Sequence, residues 1–290
     1  MSRMGIFVDR KTLSSAEQLH AIIRCRDVAE GMGHSVEFIF PVDIRKIPQM
    51  DGLFIRARTD PMNVTYVASR MAGFNGIPVI DDPSSIRICS DKINMYCHLM
   101  KKGIAIPPTV FLSRKDISPS AVRELFEDMG SPLVLKEPST SFSLRVEKVH
   151  DQYEFQRVAR RFIKMSDWIV VQSYVESTYD WRIGVLDGEM IYACKYTIPS
   201  ATFKIQASVN GHIVYCGVES VPQNEVPGDV IRLGIDAANA IGHGLYGVDI
   251  KNSNGDACVI EVNDNPSLEG GEDGLYPLVY QKIIAYLLEK

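Results

Sequence analysis

Three oxygen-bearing side chains stand near the carboxyl end of the chain in a pattern that suits a divalent cation. Glu261 and Asn263 lie two residues apart in a largely apolar run, and Asp249 lies in the apolar run before it. Side chains of a strand alternate between its faces, so Glu261 and Asn263 point to the same side. Oxygen-only ligands suit Mg²⁺, which commonly uses one or two carboxylates together with substrate phosphates and water. The segment therefore predicts a magnesium site on one face of a hairpin.

The loop between the two strands decides whether Asp249 shares that face. A two-residue turn at 254–255 would place Asp249 opposite Ile260, on the wrong side of the sheet, whereas an odd-numbered loop would place it with Glu261. We therefore predict a three- or five-residue connection, with or without a bulge. The competing interpretation is the solvated polar face of an antiparallel hairpin, which these three residues alone support equally well.

Four basic residues could bind the acidic groups of a substrate. Lys136 ends an apolar run before a loop rich in serine and threonine, and Lys92 begins a predicted helix. A lysine that leaves a buried strand beside hydroxyl groups is suited to contact a phosphate, although a single lysine is more commonly an exposed surface residue. Arg56 and Arg58 follow a predicted strand, where they could bind a carboxylate in bidentate fashion or form a solvated strand end.

The pattern of apolar residues predicts three lobes that position these side chains. Strands and helices alternate over residues 1–85, which favours a parallel sheet covered by helices. A second lobe is expected over 86–170. A third, over 171–290, begins with a hairpin whose turn is Asp187-Gly188 and ends with the acidic hairpin and a closing helix. The predicted fold class is α/β with α+β lobes. Helices after the first lobe are predicted at about 91–102, 121–129, 154–163, 229–241 and 276–288.

The composition excludes several classes of protein. Of the 290 residues, 46% are hydrophobic and 23% charged, which is the balance of a folded globular chain and not of a disordered one. The 31 basic and 36 acidic residues give a net charge of −5, which argues against a general nucleic-acid-binding protein. No apolar run is long enough to span a membrane. The six cysteines form no C-x-x-C pair, and we expect a reduced, cytoplasmic protein.

The order of the motifs along the chain resembles that of a known family. The motifs are Ser90-Asp91-Lys92, Pro132-Leu133-Val134-Leu135-Lys136, Val171-Gln172-Ser173-Tyr174-Val175, Asp180-Trp181-Arg182, Gly247-Val248-Asp249-Ile250 and Glu261-Val262-Asn263. In this order and spacing the chain is similar to ATP-grasp enzymes, and most similar to the RimK-like carboxylate–amine ligases, which include ribosomal-protein glutamate ligases. The resemblance covers roughly residues 85–275. It implies an ATP-grasp fold behind an N-terminal, Rossmann-like pre-ATP-grasp lobe.

The resemblance also implies a role for each matching residue. The implied nucleotide-binding residues are Lys92, Lys136, Gln172, Ser173, Tyr174, Val175, Asp180, Lys204 and Gln206. The implied ligands of two Mg²⁺ ions, with Mn²⁺ as a possible substitute, are Asp249, Glu261 and Asn263. The implied catalytic residues are Arg182 and Lys204. Among these, the two lysines at 92 and 136 would contact the ATP phosphates, Asp180 would hold the ribose hydroxyls, and residues 172–175 would line the adenine, with backbone groups of Tyr174 and Val175 taking part.

The activity implied by the resemblance is an ATP-dependent ligase that forms an amide bond through an acyl phosphate. Its partners would be ATP, glutamate or another amino acid, and a peptide, protein or small-molecule acceptor, but neither nucleic acid nor a membrane. A homo-oligomer is compatible with the sequence. Two alternatives stay open: a regulatory ATP-binding module without ligation, and a transferase that moves phosphate to a hydroxyl. The three metal-binding residues together favour the enzyme, because nucleotide binding alone needs fewer metal ligands.

Overall fold

The computed structural model describes residues 1–140, 144–199, 203, 206–209, 212–215, 217–253 and 255–289; in 206–209 and 212–215 only the backbone is described. Over these residues the chain forms several sheets with helices packed on them, which confirms the mixed α/β class. No helix in the described part is long and apolar enough to cross a membrane. The lobe boundaries at 85 and 170 and the Rossmann-like character of the first lobe stay predictions.

The amino-terminal region is a parallel sheet with helices packed on it, as the alternation of strands and helices predicts. Its strands lie in the order β2-β1-β3-β4. They are β1 (Arg3–Phe7), β2 (Ser35–Ile39), β3 (Gly52–Ile55) and β4 (Val79–Ile80). The helices are α1 (Arg10–Leu13), α2 (Ala16–Gly31), α3 (Val64–Phe74) and α4 (Pro83–Cys89), with a 3₁₀ segment at Pro41–Gln49 that the sequence did not predict. Arg56 and Arg58 directly follow β3 at the carboxyl edge of this sheet.

The middle region is an antiparallel sheet that carries Lys136 and Gln172. Its strand order is β5-β8-β6-β7. The strands are β5 (Thr109–Ser113), β6 (Leu133–Lys136), β7 (Val146–Val149) and β8 (Trp168–Ser173). The helices are α5 (Lys92–Lys101), α6 (Pro119–Met129) and α7 (Gln152–Phe162), and a 3₁₀ turn spans Arg114–Asp116. Each predicted helix of this region is confirmed to within two residues at either end.

The carboxyl-terminal region contains the sheet that carries the acidic residues. Its order is β13-β10-β9-β14-β15, and β11 pairs with β12 separately. The strands are β9 (Tyr179–Leu186), β10 (Glu189–Thr197), β11 (Gln206–Val209), β12 (His212–Tyr215), β13 (Gly217–Ser220), β14 (Leu245–Ser253) and β15 (Asp256–Asp264). The helices are α8 (Gly228–Ile241) and α9 (Val279–Leu288), with a 3₁₀ turn at Gln223–Glu225. The hairpin predicted at Asp187-Gly188 is confirmed as β9–β10.

A bulge in β15, and not a longer loop, sets the register of the acidic hairpin. Ser253 pairs with Asp256, so the connection has two residues and the predicted loop of three or five is wrong. Between Ile250 and Asp249 the register shifts by one residue of β15. Ile260 is the extra residue, and Asp249 therefore pairs with Glu261. The extra residue in β15, and not an odd-numbered loop, therefore places Asp249 on the same face as Glu261.

The opposite face of this sheet is apolar and anchors the acidic face. Alternating residues of β9, β14 and β15 belong to one buried cluster, which also receives side chains of α5 and α8. Members of this cluster are Trp181, Ile183, Val248, Ile250, Val259, Val262, Met95, Leu99, Val230 and Ala237. Because one face of the strands is fixed in the core, their other face presents its charged side chains in fixed positions.

Gly184 in β9 offers a test of this packing. A methyl group at this position would overlap the ring of the fully buried Tyr192 on the neighbouring strand. We expect G184A to lower the free energy of unfolding by about 1–3 kcal/mol through overpacking. The control is G73A in α3, where an added methyl meets no atom and helix propensity changes stability by no more than about 1 kcal/mol. Chemical denaturation of both variants makes the measurement, and equal stabilities would contradict the packing account.

Candidate functional site

A buried ion pair between neighbouring strands forms the centre of the site. Arg182 of β9 lies opposite Asp249 of β14, and its Nε and Nη2 donate to the two carboxylate oxygens at 2.6 and 3.0 Å. Both residues are about 95% buried. Burial raises the pKa of Asp249 to about 6, against the opposing influence of Arg182. The bidentate pair favours the charged form of this buried carboxylate.

The three predicted metal ligands come together around this pair. Asn263 Nδ2 donates to Asp249 Oδ2 at 3.0 Å, and Glu261 stands opposite Asp249 across the bulged hairpin. Two carboxylates and an amide oxygen form an oxygen-only donor set, which fits Mg²⁺ that takes its other ligands from phosphates and water. In the described part of the chain no three His, Cys, Asp or Glu residues cluster as a metal site, as expected when the third ligand is an asparagine.

Lys92, from a segment far away in the chain, lies beside the predicted metal ligand Glu261. Asp91 caps α5 by accepting from the backbone N–H of Asn94 at 2.9 Å, and Lys92 is the first residue of the helix. Its Nζ lies 3.3 Å from Glu261 Oε1 and donates to the carbonyl of Thr140, in the loop after β6. The lysine thus links the predicted phosphate loop to a predicted metal ligand.

Lys136 lies in a buried hydrogen-bond network at the end of β6. Its Nζ donates to Tyr96 Oη and to Gln172 Oε1, both at 2.7 Å. Tyr96 in turn donates to the carbonyl of Ile260, the bulged residue, at 2.6 Å. Burial lowers the pKa of Lys136 to about 8, and the charge of Glu261 is the largest opposing influence. The sequence indicated Lys136 and Gln172 but not Tyr96, whose hydroxyl joins them to the acidic hairpin.

The segment predicted to line the adenine begins at the end of β8, an inner strand of the middle sheet. Gln172 is buried, and its Nε2 donates to Thr109 Oγ1 at 2.8 Å. The Ser173 hydroxyl donates to the carbonyl of Met129 at 3.2 Å. The backbone N–H of Tyr174 donates to the carbonyl of Pro132 at 3.2 Å, so only its carbonyl is left as the expected backbone group. Val175 follows in irregular, partly buried chain.

An aromatic ring of this segment contacts a lysine of β7, a strand that β6 separates from β8. Lys148 Nζ lies 4.4 Å from the centre of the Tyr174 ring and 5.4 Å from that of Phe203, and the two rings meet edge to face. Cation–π contacts of this kind stabilise the position of the ring. The sequence pattern gave no signal for this arrangement, because Lys148 and Phe203 belong to segments with no motif of their own.

Asp180 is buried in a second cross-strand ion pair, with a lysine that the sequence analysis missed. Lys251 Nζ lies 2.5 Å from Asp180 Oδ1. The alternation of β14 could have indicated Lys251, since it lies two residues beyond Asp249 and therefore on the same face. Lys204 lies outside the described residues. Gln206 begins β11, where only the backbone is described.

Arg56 does not fit either of its two interpretations. Its guanidinium donates to Asn265 Oδ1 at 2.6 Å and to the Pro266 carbonyl at 3.0 Å, and it lies 3.2 Å from Glu269 Oε2. It is therefore neither a solvated strand end nor free to bind a carboxylate, but joins the amino-terminal sheet to the segment after β15. Arg58 is half exposed and lies 3.8 Å from Asp60, which leaves it accessible to a substrate.

Comparison with known proteins finds relatives over most of the chain. The family model described as RimK-like ATP-grasp domain matches residues 89–287. The chain is 27% identical to a protein named probable alpha-L-glutamate ligase 1 from Shewanella denitrificans, over 95% of each chain. It is 25% identical to a probable alpha-L-glutamate ligase 2 from Pseudoalteromonas atlantica, over 96% of this chain and 94% of that protein.

Solved structures share the fold over nearly the whole chain. A D-alanine–D-alanine ligase from Bacillus anthracis superposes with a TM-score of 0.73 at 19% identity, covering 100% of this chain and 97% of that one. A RimK domain ATP-grasp protein from Sphaerobacter thermophilus gives a TM-score of 0.73 at 16% identity, covering 99% of this chain and 100% of that one. At these identities the likeness establishes the ATP-grasp fold.

The buried amine of Lys136 predicts a pH dependence of nucleotide binding. With Lys136 at the ATP phosphates, as the sequence predicts, bound ATP would keep the proton on the amine, whereas the free protein releases it above a pKa of about 8. We expect the Kd of ATP to rise about tenfold between pH 7 and pH 9. Calorimetric titration in the presence of Mg²⁺ measures it. K136R, whose guanidinium stays charged, should give a nearly flat profile, and an equally steep profile in this variant would assign the effect to another group.

Proposed function

Because the chain belongs to the RimK-like ATP-grasp domain family, we propose that it joins the carboxylate of one substrate to the amine of a second. It is an ATP-dependent ligase of the carboxylate–amine type. One observation carries the assignment of the site: Lys92 Nζ lies 3.3 Å from Glu261 Oε1, although the two residues are far apart in the chain. A cation suited to phosphate and a carboxylate suited to Mg²⁺ thus meet at one point of the cleft.

We assign the parts of the nucleotide to residues around the contact between Lys92 and Glu261. We assign the phosphates to Lys92 and Lys136, and the ribose hydroxyls to Asp180, whose carboxylate is buried and paired with Lys251. We assign the adenine to Gln172, Ser173, Tyr174 and Val175, and we assign Lys204 and Gln206 to nucleotide binding from their positions in the sequence alone. Two Mg²⁺ ions, when bound by Asp249, Glu261 and Asn263, offset the charge of the phosphates. Mn²⁺ satisfies the same oxygen donors.

The reaction needs positioning and charge neutralisation and no nucleophilic side chain. A carboxylate oxygen of the first substrate attacks the γ-phosphorus of ATP, which forms an acyl phosphate and releases ADP. The neutral amine of the second substrate then attacks the acyl carbon, phosphate leaves, and the amine proton is lost as the amide forms. Lys92, Lys136 and Arg182 spread the negative charge that moves through these steps. Lys204 is assigned to the same role.

The first substrate proposed is an amino acid of the glutamate type. The relatives named probable alpha-L-glutamate ligase support this choice, and the matches cover 95% and 96% of the chain. Arg58 stands at the carboxyl edge of the amino-terminal sheet, which is the edge where α/β proteins bind their ligands. Its half-exposed guanidinium is suited to a carboxylate of the amino acid. The acceptor is a peptide, a protein or a small amine.

A product assay tests this function against its two alternatives. The protein is incubated with ATP, Mg²⁺ and a panel of amino acids and peptides, and products are identified by mass spectrometry together with ADP and phosphate. We expect an amide product and ADP release that depend on an added amino acid. ATP binding with no turnover across the panel would indicate a regulatory module, and a phosphorylated hydroxyl without amide would indicate a phosphotransferase.

Replacement of Glu261 tests the metal assignment. E261Q keeps the size of the side chain but removes the charge that would hold Mg²⁺, so we expect the ligase rate to fall by about a hundredfold or more and the Mg²⁺ concentration for half activity to rise. E219Q makes the same chemical change on the exposed strand β13 of the same sheet and should leave both values unaltered. Turnover that survives undiminished in E261Q would refute the metal assignment.

A further inference from the structure

Lys251 occupies a position in the cleft that the proposed function has not used. Its partner is Asp180, on the neighbouring strand β9, and the two residues are each only 7% exposed. Arg182 and Asp249 form the adjacent cross-strand pair one step further along the same face. The floor of the cleft thus carries two buried ion pairs in series, and the second of them contains the residue assigned to the ribose.

Lys251 bonds to one oxygen of the Asp180 carboxylate and does not bond to the other. Lys251 Nζ donates to Oδ1, and among the described residues no hydrogen bond to Oδ2 is present. A carboxylate fixed through one oxygen presents the second in a defined direction. Cys258 lies opposite Lys251 on β15, so the lysine is enclosed between two strands and its own position is restricted.

We propose that Lys251 is a positioning residue that fixes the Asp180 carboxylate as the acceptor for the ribose hydroxyls and thereby makes the site prefer ribonucleotides over deoxynucleotides. This inference rests on the proposed role of Asp180 in nucleotide binding. Lys251 itself need not touch the nucleotide. A hydrogen bond to a charged, oriented acceptor is stronger than one to a neutral or mobile acceptor, and only a nucleotide with the hydroxyl can form it.

The electrostatic surroundings of Asp180 support this role. Burial raises the pKa of Asp180, and Lys251 is the strongest of the groups that oppose this effect, ahead of Arg182 and Lys136. Lys251, in direct contact with the carboxylate, is therefore the group that most favours its charged form. Loss of the lysine leaves a buried carboxylate without its partner, which weakens it as an acceptor and releases its orientation.

The test compares the affinities of three nucleotides in the presence of Mg²⁺. Calorimetry gives the Kd of ATP, 2′-deoxy-ATP and 3′-deoxy-ATP, and the preference is the ratio of the weaker deoxy Kd to that of ATP. We expect a preference of at least about tenfold in the unmodified protein, the ratio that one hydrogen bond to a charged group supplies. In K251M the preference should fall to about one- to threefold through loss of ATP affinity, with the deoxy affinities changed by less than about twofold.

Matched variants separate this role from a merely structural one. K195M removes a lysine from β10, which pairs with β9. The ammonium group of Lys195 lies over the rings of Tyr179 and Trp181, on the face of the sheet opposite Asp180. It should keep the full preference. If K251M does not fold, as judged by circular dichroism, K251Q retains a donor without the charge, and its preference should still fall at least about threefold.

The outcomes distinguish the two proposals. D180N should abolish the preference, and adding K251M to it should change the preference no further, because both act on one hydrogen bond. An unmodified protein without preference, or a D180N variant that retains it, would overturn the ribose role of Asp180 itself. A preference lost in D180N but kept in the folded Lys251 variant would overturn the role of Lys251 alone. An equal fall of all three affinities in that variant would also overturn it, since only packing would then have changed.

Discussion

The structure depends on the mutual neutralisation of buried charges on one face of a sheet. Arg182 and Asp249 pair in bidentate geometry, and Lys251 and Asp180 pair beside them, in surroundings from which water is nearly excluded. A charge without its partner in such a place is strongly destabilising, so each strand must hold its neighbour in register. The same side chains are the ones that we propose to bind the magnesium nucleotide. On that proposal, one set of charges serves both stability and binding.

The bulge at Ile260 reconciles this charged face with an apolar core. Val248, Ile250, Val259 and Val262 must face α5 and α8, while the acidic side chains must face the cleft. A regular two-residue hairpin would break this division, because it would pair Asp249 with Ile260. The bulge shifts the register at the one point that matters, and its free carbonyl is satisfied by the hydroxyl of Tyr96. That tyrosine also accepts a hydrogen bond from Lys136, so the bulge and the lysine that we propose for phosphate binding belong to one network.

Contacts between distant segments complete the site. Lys92 reaches Glu261 from the start of α5, and Arg56 reaches Asn265 and Glu269 from the end of β3. Arg56 fixes the segment that follows the acidic strand against the amino-terminal sheet. The candidate site is thereby assembled from elements that the chain supplies at widely separated positions.

The sequence by itself determined the local features of this protein. Alternation placed Glu261 and Asn263 on one face, the Asp187-Gly188 turn defined a hairpin, and helical spacing located α5 to α8, because each of these depends on neighbours a few residues away. Only the tertiary structure decided the partners of the charges. The pairing of Lys251 with Asp180, the engagement of Arg56 within the protein and the two-residue turn with its bulge follow from strand register and from core packing on the other side of the sheet. These are contacts between segments far apart in the chain, and local periodicity carries no information about which of several charged residues will meet.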